Sequence, residues 1–260
     1  MGVQYSDSYH YWDEIAKSWP SERPQMLWRA HSDAVNLNLL EDWLSAKKVE
    51  RMLKTDLFDE LINAGLVPSL HHYARDVIGM DISPTATHKT QAKGSINITA
   101  DTRRLPFSES TFDVILSNST LDHYDTTEEI IVSLGEFKRV LKPGGQLLLT
   151  LDNPINPLIA LRNSLPGTFV SPYYVGKTMG PRQITGILTQ MKFRIDDLRA
   201  IMHFPRVFVV AVSNMMQKRA SKHAQEKLLG GLLAFEKIAN WPTRFLTGHF
   251  IAVKAIKCSE

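Results

Sequence analysis

The feature that most constrains this chain is the alternation of short apolar runs with amphipathic segments between residues 47 and 152. Five runs have strand character: Val49–Leu53, Val77–Asp81, Ile96–Ala100, Phe112–Leu116 and Gln146–Leu151. Between the last two, residues 126–141 repeat apolar side chains at helical spacing and stop at a Lys-Pro-Gly-Gly sequence. Strands that alternate with helices predict an α/β fold, a parallel sheet covered on both faces.

The flanking regions differ from this segment in composition and in the spacing of apolar residues. Residues 1–46 are rich in Trp, His and charge, and apolar spacing there predicts an N-terminal helical cap. Residues 47–257 are predicted to form the main domain, with insertions at about 153–180 and 204–243. Late strands are expected at Phe193–Ile201 and Gly248–Ile256, and helices at 59–74, 153–165, 181–191 and 220–239.

Composition excludes several classes of function. The 260 residues carry a net charge of only +3 without a dense Lys/Arg run, so no nucleic-acid partner is expected. The single cysteine, Cys258, cannot form an intramolecular disulfide or a Cys-rich metal site, and no metal is predicted. The N-terminus has no signal-peptide pattern and the apolar stretch at 207–212 is too short to span a bilayer. We therefore expect a cytoplasmic protein without a membrane span.

Ligands of open parallel sheets bind at the carboxyl ends of the strands, so polar residues that follow strands are the candidates for a site. Asp81 ends the second strand and has the chemistry to accept hydrogen bonds from a ribose diol; its structural alternative is an N-cap for the next helix. Asp101 and Thr102 follow the third strand, where an Asp can accept from an adenine amine or form a turn.

The fourth strand is followed by Ser117, Asn118 and Ser119, and shortly afterwards by His123. A histidine here is a candidate general base, although a capping or surface role explains it equally well.

The loop after the first strand has no glycine. Nucleotide-binding loops at this place usually contain glycines, which let the backbone approach the ligand closely. This chain has Lys54-Thr55-Asp56-Leu57-Phe58-Asp59-Glu60 instead, and no glycine occurs between Gly2 and Gly65.

Three runs over residues 76–152 together resemble the class I S-adenosylmethionine-dependent methyltransferases, most closely the type 11 group: VIGMDIS, ITADTRRLPFSESTFDVILSNSTLDH and EFKRVLKPGGQLLLTLDNP. The resemblance implies a Rossmann-like, seven-stranded, mostly parallel sheet with a reversed last strand, for which Gly248–Ile256 is suited. It also implies S-adenosylmethionine as the cofactor and methyl transfer to a small-molecule acceptor.

By position, the resemblance implies that Asp81 holds the ribose hydroxyls and that Ile82 packs on the adenine face. It also implies that Asp101 and Thr102 lie at the adenine edge. It sets residues 117–119 beside the methionine moiety. The glycine-free loop departs from the family. Either Thr55 and Asp56 contribute side chains, with Asp56 or Asp59 pairing with the cofactor ammonium, or the loop has closed and the cofactor is not bound.

The acceptor pocket is expected to combine the cap with the segment after the fifth strand. Its predicted residues are Trp12, Trp28, Arg29, Arg162, Tyr173 and Tyr174, and the candidate bases are His123 and, second, His31. Aromatic residues with few polar groups suit an aromatic, quinone-like or lipid-like acceptor.

Two other classes of function remain open at this stage. One is a non-catalytic binding protein of the same fold, for which the altered first loop is the evidence. The other is a nicotinamide-dependent oxidoreductase, which would also need the missing glycines. Residues 204–243 are expected either to cover the substrate or to make homodimer contacts.

Overall fold

A seven-stranded sheet organises the chain. The computed structural model describes residues 5–22, 26–45, 47–63, 65–91, 96–164, 174–216 and 221–259. The strands are β1 (Val49–Lys54), β2 (Ala74–Asp81), β3 (Ile96–Thr99), β4 (Phe112–Asn118), β5 (Leu141–Asp152), β6 (Phe193–Ile201) and β7 (Phe250–Lys257).

The order across the sheet is β3-β2-β1-β4-β5-β7-β6. Strands β1 to β5 are parallel to one another, and β7 runs antiparallel to both β5 and β6. This confirms the predicted α/β fold with a reversed last strand. The order reverses between β1 and β4, so the crevice expected to take a ligand opens at the carboxyl ends of those strands.

The helices cover both faces. They are α1 (Tyr5–Glu22), α2 (Met26–Trp43), α3 (Phe58–Ile62), α4 (Val67–Leu70), α5 (Pro84–Gln91), α6 (Thr127–Val140), α7 (Pro157–Ser164), α8 (Pro181–Gln190), α9 (Arg206–Met216), α10 (Lys222–Ala234) and α11 (Arg244–Thr247). Among the described residues, 3₁₀ turns span Leu121–His123 and Phe235–Asn240. Helix α6 begins with a capping box, in which Thr126 accepts from the Glu129 amide and the Glu129 carboxylate accepts from the Thr126 amide.

Two cores flank the sheet. On one face, α2 packs with α9 and α10 against β1 and β2, and the buried side chains include Leu40, Trp43, Val209 and Leu232. On the other face, α6 and α8 pack against β4, β5 and β7. Helix α2 thus shares a core with the sheet, while the division of the chain into a cap at 1–46 and a domain at 47–257 remains a prediction.

The helix expected over 59–74 is wrong in extent. It is broken into α3 and α4 around Gly65, whose φ is +60° and whose missing Cβ would lie 2.4 Å from Glu60 Oε1. Helix α9 was not among the individual helices predicted, because the apolar run at 207–212 is as short as a strand. No helix within the described ranges is both long and apolar enough to cross a membrane.

Candidate cofactor and acceptor cleft

A cleft of about 1270 Å³, counted out to its mouth, opens where the sheet order reverses. It lies between the strand ends and helices α1 and α2. Twelve of the predicted site residues line it: Trp12, Trp28, Arg29, Thr55, Asp56, Asp81, Ile82, Asp101, Thr102, Asn118, Ser119 and His123. The strand-end rule therefore located the cleft correctly, whereas the role of each residue remains a prediction.

Asp81 is fixed at the tip of β2 by two backbone amides. Its Oδ2 accepts from Leu57 N at 3.0 Å and its Oδ1 from Ser83 N at 2.8 Å. Burial raises the pKa of this carboxyl, and the two amide bonds oppose that shift. Each carboxylate oxygen has a second lone pair, so Asp81 can still accept from a ligand hydroxyl.

The glycine-free loop after β1 is held by a buried ion pair. Lys54 Nζ lies 2.8 Å from Glu60 Oε2 and also donates to the Asp56 carbonyl oxygen. The other oxygen of Glu60 accepts from the amides of Leu66 and Val67 at 2.8 and 3.2 Å. The pair therefore joins the end of β1 to the start of α4 and occupies the interior of the loop.

Two carboxylates of this loop line the cleft. Asp56 Oδ1 accepts from Phe58 N at 2.9 Å, and burial raises its pKa well above the usual range, opposed by the charge of Lys54. Asp59 pairs with the buried Arg29 guanidinium of α2. Behind them, burial and then the charges of Asp59 and Glu60 raise the pKa of Asp33 to about 7. The loop presents carboxylates to the ligand space where nucleotide-binding loops usually present glycine.

The third strand end carries a network around Asp101 and Thr102. Arg103 Nε lies 3.0 Å from both carboxylate oxygens of Asp101, so this acid is already paired with a cation. Thr102 is buried, and its hydroxyl contacts Tyr124 Oη at 2.5 Å and Ser133 Oγ at 3.0 Å. Both residues are rigidly placed at the cleft edge.

Of the three polar residues predicted at the end of β4, two line the cleft and one does not. Ser119 has a φ of +51°, lines the cleft, and donates from its hydroxyl to Asp122 Oδ2 at 2.9 Å. Asn118 also lines the cleft and accepts from Thr150 Oγ1 at 2.7 Å. Ser117 is fully buried within β4 and does not line the cleft, because alternate residues of a strand point to opposite faces.

His123 stands between this cleft and a second cavity of about 660 Å³. Its ring centroid lies 4.6 Å from that of Trp12, and its Nδ1 is 3.0 Å from the Tyr174 carbonyl oxygen. The second cavity is lined by Ser8, Tyr11, Trp12, His123, Tyr124, Asp125, Glu129 and Tyr174. Tyr174 is thus near the cleft as expected, and Tyr173 lies outside the described residues.

Besides Ser117, two predicted residues are placed away from both cavities. His31 is fully buried in α2, and its Nε2 lies 3.5 Å from Glu236 Oε1, so it cannot reach a ligand in the cleft as a base. Arg162 pairs with the buried Asp152, whose other oxygen is 3.7 Å from His249 Nε2. These two assignments are corrected: both side chains face the protein interior.

Sequence reasoning missed the residues that close the far end of the cleft. Met202 and Arg206 follow β6 and Phe250 begins β7, while Ser32 of α2 and Phe58 of α3 complete the wall. The strand-end rule would have found Met202 and Arg206, had it been applied to Phe193–Ile201 as well as to the first four strands.

A family model for a methyltransferase domain matches residues 63–149, a third of the chain. The match begins just after the glycine-free loop. A solved structure from Thermotoga maritima, a SAM-dependent methyltransferase described as a possible histamine N-methyltransferase, superposes with a TM-score of 0.62. It is 12% identical and the alignment covers 96% of this chain and 99% of that one, which shows a shared fold.

The fold of this chain is that of the SAM-dependent methyltransferases, and a methyltransferase domain family matches residues 63–149 of it. Curated relatives align over less of the chain than this solved structure does. Mouse "Probable tRNA methyltransferase 9B" is 33% identical over 72 residues, 28% of this chain and 16% of that protein. "Malonyl-[acyl-carrier protein] O-methyltransferase 1" of Coxiella burnetii is 29% identical over 159 residues, 59% of this chain and 52% of that protein. The chain therefore spans about half or less of the length of these methyltransferases.

S-adenosylmethionine is the cofactor of this methyltransferase family, and the donor set of the cleft fits it. The molecule carries a sulfonium and an ammonium, and the cleft lining includes four carboxylates, those of Asp56, Asp59, Asp81 and Asp101. Carboxylates in a partly dry site stabilise cationic groups more strongly than water-exposed ones do. Asp81 additionally stands at the tip of β2, where an acid can hold ribose hydroxyls.

Proposed function

We propose that this protein transfers the methyl group of S-adenosylmethionine to a small-molecule acceptor bound in the cleft. The observation that carries the proposal is the position of Asp81, fixed by two amides at the strand end and open to the ligand space. The carboxylates beside it supply the charge that a cationic cofactor needs.

When bound, the cofactor supplies a methyl group attached to a sulfonium. The neutral thioether that leaves needs no activation by the protein. The work of the chain is then to bind, align and exclude water. Asp81 would accept from the ribose hydroxyls, Ile82 would pack on the adenine face, and Asp101 and Thr102 would stand at the adenine edge. Asp56 would face the ammonium, so that a charged contact would replace the backbone contacts of a glycine loop.

His123 is the proposed general base for an acceptor that must lose a proton. A carbonyl oxygen can only accept, so the 3.0 Å contact with Tyr174 O sets the ring proton of the neutral imidazole on Nδ1, and Nε2 is then the nitrogen that takes up a proton. The Asp122 carboxylate, buried and 4.0 Å from Nε2, then stabilises the charged ring.

The acceptor is proposed to be small, with an aromatic, quinone-like or lipid-like body. Trp12 and Trp28 line the cleft, and Tyr11, Tyr124 and Tyr174 line the adjoining cavity. One relative is named for tRNA and another for a malonyl group on a carrier protein. The net charge of +3, without a dense basic run, favours the smaller acceptor.

The test is a calorimetric titration with S-adenosylmethionine and S-adenosylhomocysteine of the natural protein, Asp81→Asn and the control Asp76→Asn. Asp76 lies on the same strand, half-exposed and 3.5 Å from Arg51. We expect micromolar binding that Asp81→Asn weakens by about 10- to 100-fold, the worth of a charged hydrogen bond, and that Asp76→Asn leaves unchanged. A folded protein that binds neither ligand would instead support the non-catalytic alternative.

A further inference from the structure

The methionine part of S-adenosylmethionine carries a carboxylate as well as an ammonium, and the carboxylate needs a cationic partner. The cleft that is proposed to hold it is rich in acids, because its lining includes the carboxylates of Asp56, Asp59, Asp81 and Asp101. Like charges repel strongly in a partly dry site, so a ligand carboxylate among these acids needs a cation beside it. Arg29 of α2 is one of the lining residues that can supply this charge.

The strand order gives the direction in which the cofactor would extend. The adenine edge is proposed at Asp101 after β3 and the ribose at Asp81 after β2, and the next strand in the sheet is β1. Asp81 also accepts from Leu57 N in the loop after β1. The methionine part would therefore reach this loop, to which Arg29 is joined by its ion pair with Asp59.

Arg29 is held in place at this end of the cleft. Its Nη1 donates to Asp59 Oδ1, and its guanidinium carbon lies 5.2 Å from the centroid of the Phe58 ring. The side chain is only 6% exposed although it lines the cleft. A guanidinium that is fixed by an acid and an aromatic ring, and is largely removed from water, binds a carboxylate more strongly than a mobile surface arginine does.

The pair with Asp59 does not use all the donors of Arg29. A guanidinium has five N–H donors. In Arg29, Nε is buried without a hydrogen-bond partner among the described residues, an unfavourable state that a carboxylate acceptor would relieve. One guanidinium can serve two carboxylates in this chain, since Arg103 pairs with both Asp101 and Glu129. The contact with Asp59 is therefore compatible with a second carboxylate.

We propose that Arg29 binds the carboxylate of the methionine part of S-adenosylmethionine, while Asp56 faces the ammonium. This inference rests on the proposed function, and it assigns Arg29 to the cofactor and not to the acceptor pocket, for which the sequence suggested it. The amino-acid end of the cofactor is then recognised by one cation and one anion. Specificity follows, because a ligand that lacks the carboxylate brings one more net positive charge and leaves Arg29 without this partner.

The test compares S-adenosylmethionine with decarboxylated S-adenosylmethionine, which keeps the sulfonium and the ammonium and lacks only the carboxylate. Both are titrated calorimetrically into the natural protein and its variants. Arg29→Met removes the charge at similar side-chain length, and Arg29→Lys keeps the charge without the planar fork of donors. The double variant Arg29→Met/Asp59→Asn also removes the acid that Arg29→Met leaves unpaired.

Arg199→Met is the matched control. Arg199 also pairs with an aspartate, Asp42, and its guanidinium carbon lies 5.7 Å from the centroid of the Trp43 ring. It is not among the residues that line the cleft. Its replacement therefore removes an arginine of the same kind without changing the ligand space.

We expect the natural protein to bind S-adenosylmethionine about 10- to 100-fold more tightly than the decarboxylated ligand, the worth of a charged hydrogen bond. This preference should fall below threefold, or reverse, in Arg29→Met and in the double variant. Arg29→Lys should keep part of the preference and Arg199→Met all of it. Should Arg29→Met fail to fold, the double variant carries the same comparison without an unpaired acid.

Three results would overturn the inference alone: equal affinity of the natural protein for the two ligands, a preference above threefold that survives in Arg29→Met, or a preference that the double variant restores. The last result would show that Arg29 acts only by neutralising Asp59. Binding of neither ligand by the folded natural protein would overturn the inference together with the proposed function.

Discussion

Replacing Lys54 by Met tests whether the buried ion pair holds the glycine-free loop. The two side chains are 1% and 4% exposed and lie 2.8 Å apart, so the change leaves the Glu60 carboxylate in the interior without its cation. Removing one partner of a buried pair costs about 3–5 kcal/mol of unfolding free energy. Because Lys54 also donates to the Asp56 carbonyl oxygen, that oxygen loses a donor as well.

The Glu60→Gln variant supplies the second arm of a double-mutant cycle. A glutamine keeps an oxygen for the Leu66 and Val67 amides and loses the charge, so the Lys54 ammonium becomes the unpaired ion. We expect a loss of similar size. Changing both residues removes both buried charges, and the double variant should be less destabilised than the sum of the singles by about 1–3 kcal/mol.

The assay is urea unfolding followed by circular dichroism, with Lys142→Met as the control. Lys142 Nζ and Asp113 Oδ1 are also 2.8 Å apart, but the pair is partly exposed at 37% and 25%, so its loss should cost about 0–1 kcal/mol. A cost below about 1 kcal/mol for Lys54→Met, or a coupling below about 0.5 kcal/mol, would refute the view that the pair fixes the loop.

Three further changes test neighbouring features. Gly65→Ala places a Cβ 2.4 Å from Glu60 Oε1 at a φ of +60°, so we expect a loss of about 2–4 kcal/mol in the same unfolding assay, and a loss under about 0.5 would contradict the geometry. Asp33→Asn should weaken the dependence of folding stability on pH. The folded-state pKa of Asp33 is raised to about 7, so the native state holds a proton that the unfolded state releases, and stability falls between pH 4 and 7 by at most about 4 kcal/mol; a melting temperature series that is the same in both proteins would argue against this. His123→Ala should lower turnover about 10²- to 10⁴-fold if the acceptor needs a base, and unchanged turnover at every pH removes His123 from that role.

Much of the fold could be predicted, because the sheet is encoded locally. The predicted strand Phe193–Ile201 coincides with β6, and the helix expected over 126–141 differs from α6 by one residue at each end. The errors have physical causes. The break between α3 and α4 depends on the Glu60 carboxylate taking the space next to Gly65, a tertiary contact that helical spacing cannot show.

A site residue could be predicted where its position depends only on the end of one strand. It could not be predicted where its position depends on a partner from another element. Asp81 and His123 were found because they follow strands. His31 was misplaced because its partner Glu236 is far along the chain, and Arg162 because it turns back to pair with Asp152 at the end of β5, 10 residues earlier. Arg206 was missed although it follows a correctly predicted strand, since only the first four strand ends were searched.

The first loop shows how a charged sequence can occupy the place of glycines. Glycines there would let the backbone reach a ligand. In this chain, Lys54 and Glu60 fill the loop interior and pair with each other, while Asp56 and Asp59 are left at the cleft surface. The acids outside the pair line the cleft; burial raises the pKa of Asp56, and a cationic ligand beside it would lower that pKa. We therefore predict that contact through side-chain charge replaces contact through bare backbone in this loop, which lies outside the family match at residues 63–149.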